Sequence, residues 1–337
     1  MLMEKEIGLE YGSGGENYRE LVREVFLPAY GSEELRALGD SAVCAPGSGA
    51  PLAFTTDGFV VKPMAFPGGD VGSLAVSGTV NDLAVAGAVP RWLSVAMILE
   101  AGLPTAVLRE ACASIARTAA RAGVRVVTGD TKVVGRGQGD GIYITTSGVG
   151  TFDGGWAIPP QRAAAGDALI VSGPLASHGM AVMCAREGLE FDPPPQSDAR
   201  PLNALIAAVL GAGIPVHAMR DPTRGGLAAT LCEWAEEGGC DLVYEEARLP
   251  VLPNVRAACA LLGIDPVFVA NEGVCVFAVP PEAAAETLRI LRGHPDGALA
   301  AVVGAARPGQ GHVLADTGCG TLRRVLLPMG ELLPRIC

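Results

Sequence analysis

The sequence predicts a mixed α+β fold built as two halves with a cleft between them. Three observations predict it. Short apolar runs that end beside Asp and Gly alternate with helical stretches of small residues, and after Ile158-Pro159-Pro160 the alternation starts again. A chain of 337 residues is long enough for two domains, and 49% apolar with 18% charged residues can furnish a core for each. Glycine (45) and proline (25) are spread along the chain, as many turns between short elements require.

The elements follow in order. Gly12-Ser13-Gly14-Gly15 feeds an amphipathic stretch from Tyr18 to Val25, and a glycine-rich turn at a helix start can cradle phosphate on its N–H groups. Leu52 to Thr56 reads as a strand ending at Asp57-Gly58, Val71 to Ala86 as a helix carrying Asn81-Asp82, and Trp92 to Leu99 as a strand. Pro104 to Ala122 is a helix opened by proline and stopped by Gly123; Val124 to Val127 is a strand ending at Thr128-Gly129-Asp130. Gly135 to Gly141 reads as a solvated, glycine-rich hairpin tip, and Tyr143 to Val149 as a strand with mixed faces. In the second half, strands are expected at Asp167–Val171, Val267–Val269 and Val274–Val279. Helices are expected at Ser177–Glu187, Leu202–Ala212, Leu227–Glu237 and Pro281–Leu291. This divides the chain into residues 1–157, residues 158–327 and a terminal arm, 328–337. Pro328 and Pro334 make the arm semi-extended and able to reach about 30–35 Å.

Composition narrows the function. A net charge of −11 argues against nucleic-acid binding. No apolar run approaches the length of a membrane span, and the acidic N-terminus is no signal peptide. Nine cysteines without a C-x-x-C pair, none at ligand spacing to the four histidines, argue against zinc or a disulfide framework and for a reducing cytoplasm. His178 reads as ordinary helix polarity. P-loop, dinucleotide and nucleophile-elbow signatures are absent.

Four aspartates of the first half stand in related contexts: Asp40 in Gly-Asp-Ser-Ala, Asp57 in Thr-Thr-Asp-Gly, Asp82 in Val-Asn-Asp-Leu, and Asp130 in Thr-Gly-Asp-Thr-Lys. Any one could equally cap a helix or close a turn. Together they suit Mg²⁺, which takes a few carboxylates and completes its shell with nucleotide phosphate oxygens. The last residue, Cys337, presents a thiol beside the α-carboxylate at the end of Pro334-Arg335-Ile336-Cys337.

The runs Thr55-Thr56-Asp57-Gly58-Phe59-Val60-Val61-Lys62-Pro63, Gly78-Thr79-Val80-Asn81-Asp82-Leu83-Ala84, Gly129-Asp130-Thr131-Lys132-Val133-Val134, Arg220-Asp221-Pro222-Thr223-Arg224-Gly225-Gly226 and Asn271-Glu272-Gly273, with the Pro-Arg-Ile-Cys terminus, resemble the hydrogenase-maturation carbamoyl dehydratase (HypE) family. That family is similar in turn to the aminoimidazole-ribonucleotide-synthetase-like (PurM-like) group of ATP enzymes. The resemblance spans the chain, with one departure: Asp40 is followed by Ser41 where a second acid is expected.

The resemblance implies a homodimer through the N-terminal domains, with ATP and Mg²⁺ as cofactors. It implies a carbamoyltransferase partner (HypF-like) that places a carbamoyl group on Cys337, and an iron-carrying complex (HypC–HypD-like) that receives cyanide. The reaction it implies is ATP-dependent dehydration of the S-carboxamide to a thiocyanate. Phosphorylating the amide oxygen turns a poor leaving group into a good one, and dehydration needs a base near the nitrogen. Lys132 and Glu272 are the expected catalytic pair with Cys337; Lys132 could also serve as a phosphate-neutralising charge, and Glu272 as a turn cap. Gly14, Gly15, Asp57, Asp82, Asp130, Asp221 and Arg224 are expected at ATP, although Asp221 and Arg224 could equally form a structural turn, and Asp40, Asp57, Asp82 and Asp130 are expected at the metal. Two alternatives remain: an enzyme of the same group acting on a different small substrate, and a thiol carrier that uses ATP only as a clamp.

Overall fold

The computed structural model describes residues 15–30, 32–45, 49–327, 333 and 336–337. Helix α1 (Gly15–Leu21) passes through a π turn at Val22–Phe26 into α2 (Leu27–Tyr30). The short α3 (Glu33–Arg36) follows, its Ser32 hydroxyl accepting the Leu35 N–H at 3.1 Å. Strands β1 (Ala42–Cys44) and β2 (Leu52–Phe59), the small hairpin β3 (Ala65–Phe66) and β4 (Gly69–Asp70), helix α4 (Val71–Val85), strand β5 (Val89–Glu100), helix α5 (Thr105–Ala122), and strands β6 (Arg125–Val134) and β7 (Ile142–Thr151) complete the first half. Its five-stranded sheet has the order β1-β2-β7-β5-β6. All neighbours are antiparallel except the β5–β6 pair. The segment 135–141, expected as a hairpin tip, instead crosses over β5: β6 and β7 flank that strand and do not pair with each other.

Helix α4 is stopped at its start by a full capping box: Asp70 Oδ1 accepts the Gly72 and Ser73 N–H groups, and the Ser73 hydroxyl accepts the Asp70 N–H. The helix is buried on every side, as expected for one wedged between two layers rather than lying on a surface. It covers β2 and β7 and also meets the second half of the chain. Gly78 permits the close approach: a Cβ there would lie 3.0 Å from Phe59 Cζ and 3.5 Å from Asp57 Oδ2. The far face of the sheet is left bare, with Phe54, Trp92 and Ile98 exposed, and β6 is exposed along nearly its whole length.

The second half contains β8 (Ala168–Val171), α6 (Ser177–Glu187), α7 (Asn203–Gly211), β9 (Ala218–Arg220), α8 (Gly226–Gly238), β10 (Cys240–Glu245), α9 (Pro253–Leu262), β11 (Val276–Val279), α10 (Ala284–Gly293), β12 (Ala301–Pro308), β13 (Val313–Asp316) and β14 (Leu322–Val325). Its seven-stranded sheet runs β14-β13-β10-β12-β8-β11-β9. The stretch expected as a strand at Val267–Val269 is instead a single 3₁₀ turn, Pro266–Phe268. Pro266 opens the turn and the Asp265 carboxylate accepts the Val267 N–H. Its apolar side chains report burial, not extension.

The halves are stitched at α4. Asn81, fully buried, donates to the carbonyls of Arg200 and Glu272 at 3.2 Å each and accepts the Leu202 N–H at 2.8 Å. One apolar cluster crosses the seam: Phe59, Val71 and Leu74 from the first half share it with Met180, Val255 and Val269 from the second, and with Leu333 and Ile336 from the chain's end. Where a free arm was expected, the described terminal residues are packed into the protein, Leu333 at 7% and Ile336 at 4% exposure.

Candidate functional site

The cleft at the seam is built by four pieces of backbone. Strand β2 carries Thr55 and Asp57 on the face it turns toward α4, and α4 brings Asp82 over them. The turn after β9 supplies Asp221 and Arg224 before α8 begins at Gly226, a residue with φ of 61°. A side chain at 226 would be strained by that φ, and its Cβ would lie 2.6 Å from the carbonyls of Val267 and Val269. The fourth piece is the Asn271-Glu272-Gly273 turn, held from behind by Asp198, whose Oδ2 accepts the N–H groups of Glu272 at 3.2 Å and Gly273 at 2.9 Å. Asn271 fixes the same turn, donating to the carbonyls of Pro222 and Val269 and accepting the Ala176 N–H.

These pieces enclose a cavity of about 290 Å³ lined by Asp40, Asp57, Asp82, Asp221, Arg224, Glu272 and Cys337 among others. Seven residues expected at the site from the sequence are thus brought together. Lys132 and Asp130 are not among them. They lie side by side on β6, 2.7 Å apart, with side chains 69% and 62% exposed, and face solvent on the outer sheet of the same chain. Gly14 lies outside the described residues. Gly15 begins α1, whose Arg19 lines the cavity.

The cavity is an acid cluster with too little cationic compensation. Burial raises Asp57, offset in part by Arg224 and reinforced by Asp40. Burial raises Asp82 well above the carboxylate range, and Asp57, Asp221 and Asp40 add to it, although Thr55 Oγ1 donates to Asp82 Oδ2 at 2.7 Å. Asp221 is pushed up to about 8 by burial and by Asp40 and Asp57. Glu272, 2% exposed, is raised well above its ordinary value by burial and the nearby Asp221, Asp198 and Asp57, against the pull of Arg224. Asp40 differs from the others: it is held by Arg220, whose Nε donates to Asp40 Oδ2 at 2.9 Å and whose Nη1 donates to Glu233. Burial works against the Arg220 charge, but Asp40 and Glu233 outweigh it and raise its pKa.

A cation fits the donor set. Asp221 Oδ2 is buried without a hydrogen-bond partner, which is costly unless something else meets it. Among the described residues no three acidic, histidine or cysteine side chains already close on one point, so such an ion needs further ligands from a bound molecule.

Cys337 completes the wall. Arg224 Nη1 lies 3.7 Å from its sulfur, and the Val60 N–H donates to its main-chain oxygen at 3.1 Å. Burial pushes the thiol up to about 11, with Arg224 pulling down and Glu272 pushing further up. His178 is more than the helix polarity expected of it. It is fully buried, and Nε2 lies 2.6 Å from the Ile336 carbonyl. Sequence reasoning also passed over Asn81, Asp198 and Arg220, although the Arg220-Asp221 pair stood within a quoted motif. Their partners lie up to 191 residues away, as for Asn81 with Glu272, and no local signal carries such a contact.

Comparison with known proteins places the chain's two halves in one family. Residues 38–152 match the AIR synthase related protein N-terminal domain and residues 164–316 its C-terminal domain. Carbamoyl dehydratase HypE of Rhodobacter capsulatus is 48% identical over 340 residues, covering 100% of this chain and 99% of that protein. HypE of Escherichia coli K12 is 43% identical, covering 98% and 99%. Among solved structures, a HypE–HypF complex superposes with a TM-score of 0.86 at 42% identity, over 91% of this chain and 99% of that one. A hydrogenase maturation protein HypE in complex with ATP gives 0.81 at 40%, over 98% and 99%.

Proposed function

We propose a function from one premise: the chain belongs to the AIR synthase related family, within its carbamoyl dehydratase HypE branch, which serves hydrogenase maturation. On this reading the protein dehydrates a carboxamide carried on its own Cys337. ATP and the S-carboxamide become ADP, phosphate and an S-cyanide. The amide oxygen accepts the γ-phosphoryl group, the nitrogen gives up both its protons, and the C–O bond breaks as phosphate departs. The observation that carries the reading is the position of Cys337 Sγ in the same small cavity as Asp57, Asp82, Asp221, Arg224 and Glu272.

The roles follow from the surroundings. Arg224, in contact with the sulfur, is placed to hold the carboxamide oxygen and the phosphoryl group it takes up. Glu272 is the base: burial and the nearby carboxylates raise its proton affinity well above that of an ordinary glutamate. Asp57, Asp82 and Asp221 line the cavity without converging on one point and would each offer a carboxylate to Mg²⁺ whose remaining ligands come from the nucleotide, with Asp40 at the edge of the set and committed to Arg220. When bound, that ion would spread the negative charge of the phosphates. The high Cys337 pKa keeps the empty thiol protonated and unreactive while it waits for its carbamoyl group.

Lys132 and Asp130 enter the reaction only if a second copy supplies them. We take the bare face of the first sheet, with Phe54, Trp92 and Ile98 exposed beside β6, as the face of a homodimer that turns Lys132 toward the partner's cleft. The 1–157 half would then be the ATP-binding and dimerisation domain, residues 158–327 the α/β domain behind it, and 328–337 the carrier segment. A HypF-like carbamoyltransferase would load Cys337, in keeping with the HypE–HypF complex known for a relative, and a HypC–HypD-like iron carrier would receive the cyanide. The nine free cysteines suit a cytoplasmic setting, and no helix among the described residues is long and apolar enough to cross a membrane.

The test is the intact mass of the carbamoylated chain. Addition of Mg–ATP should remove the mass of one water, and Cys337→Ala should abolish both loading and loss. Turnover of a free amide by the Cys337→Ala protein would favour a different substrate, and a carbamoylated chain unchanged by Mg–ATP would make the protein only a carrier.

A further inference from the structure

The end of the chain is gripped by a side chain that no step above uses. His178, the second residue of α6, is 0% exposed and spends both ring nitrogens on neighbours: Nδ1 lies 2.9 Å from Ser197 Oγ, and Nε2 lies 2.6 Å from the carbonyl of Ile336. The Ile336 carbonyl settles which nitrogen carries the proton. A carbonyl can only accept, so the proton of the neutral ring sits on Nε2, and Nδ1 is left to accept from the Ser197 hydroxyl, which itself accepts the Ala199 N–H at 3.0 Å. Burial favours that neutral ring. The ring plane is fixed as well, by an edge-on contact with Phe66 at 5.4 Å between centroids. Ser197 is anchored in turn: its N–H donates to the Pro67 carbonyl at 2.8 Å, and a Cβ on Gly68 would come within 2.6 Å of the same nitrogen. The chain of contacts therefore runs from the β3–β4 hairpin through Ser197 and His178 to the peptide immediately before Cys337.

We infer that His178 is a positioning residue for the carrier thiol: its Ser197-oriented Nε2–H fixes the Ile336 carbonyl and so sets how deeply Cys337, and whatever group it carries, enters the cleft. The grip is on backbone, one peptide bond from the thiol, so it holds the loaded and unloaded ends alike. The inference rests on the reading of Cys337 as substrate carrier, but its test does not require carbamoyl chemistry.

The test measures alkylation of Cys337 in the full-length, unmodified protein by timed iodoacetamide pulses and peptide mass mapping, with the exposed Cys112 and Cys319 as internal controls. His178→Ala should speed modification of Cys337 about five- to thirtyfold, the range expected when a buried bond is lost and its acceptor orphaned, and leave Cys112 and Cys319 unchanged. His178→Gln, whose amide can donate to the same carbonyl, should return the rate to near that of the parent. Ser197→Ala should fall between. An unchanged Cys337 rate in a His178→Ala protein that melts like the parent overturns the inference. If His178→Ala does not fold, Ser197→Ala decides, and an unchanged rate there also overturns it. A response of the thiol to these variants, together with carbamoylated chains that lose no water, would keep the positioning role and remove the proposed dehydration.

Discussion

Removing the charge at Asp221 should stabilise the empty protein, increasingly so as pH rises. The carboxyl sits 4% exposed with Oδ2 unpartnered, and its pKa is pushed from 3.8 to about 8 by burial and by Asp40 and Asp57. The folded protein thus keeps a proton that the unfolded chain has released anywhere between those two values. Folded protein binding more protons than unfolded means that stability is full below the unfolded value and declines as pH climbs toward the folded one. A displacement of about four units at 1.36 kcal/mol each sets a ceiling of about 5 kcal/mol. Partial relaxation and water entry at the cleft mouth reduce this to about 2–4 kcal/mol. Asp221→Asn keeps the shape and removes the charge. Thermal melts with a chelator present should find the two proteins within about 1 kcal/mol near pH 4 and the variant clearly more stable at pH 8.5. Magnesium at pH 8.5 should raise the melting temperature of the parent and not of the variant. A variant no more stable than its parent at pH 8.5, or a gap that does not change with pH, would refute the account of the cleft as a cluster of strained carboxylates.

Two further outcomes follow from the geometry. Asn81→Ala strands the Leu202 N–H and two carbonyls at the seam and should cost about 3 kcal/mol in chemical denaturation, far more than a surface asparagine; a loss under 1 kcal/mol would mean the halves are held by packing alone. Lys132→Ala should leave stability unchanged, because the side chain is 69% exposed, yet stop dehydration. If the site is shared across a dimer, mixing Lys132→Ala with Glu272→Gln chains should restore about a quarter of parental activity, since half the dimers are mixed and each has one intact site; no recovery after subunit exchange would overturn the shared site, and a Lys132→Ala protein that still dehydrates would place Lys132 outside the reaction.

The parts of the fold that could be read from the chain were those with local grammar. Proline at the start and Gly123 at the end of α5 frame a helix in any context, and Asp70 caps α4 through neighbours two and three residues on. The acid motifs were legible because chemistry-bearing residues beside glycine are written contiguously. Strands β10, β12, β13 and β14 were not read: β10, Cys-Asp-Leu-Val-Tyr-Glu, is buried on both faces and lacks the alternation that signals a strand. Val267 to Val269 failed in the opposite way, its apolar residues imitating a strand while Pro266 and Asp265 wound it into a turn. Lys132 next to Asp130 looked like one site because sequence adjacency says nothing about which side of a sheet is covered. His178 looked ordinary because its partner is 158 residues further along.

The packing of Leu333 and Ile336 bears on timing. Both lie in the apolar cluster that joins the halves, and Gly179 leaves the room: a Cβ there would stand 3.3 Å from Leu333 Cδ1. The carrier end is therefore a plug in the protein's own interior. Drawing it out exposes two aliphatic side chains, at about 1.5–3 kcal/mol each, so that about one molecule in 150 to one in 25,000 would have its thiol outside at any instant. A partner that waited for that rare visitor would wait long. One that offers its own apolar berth for the same two side chains offsets the exposure, and the pace of cyanide hand-over would then be set by how well that berth matches a leucine and an isoleucine three residues apart.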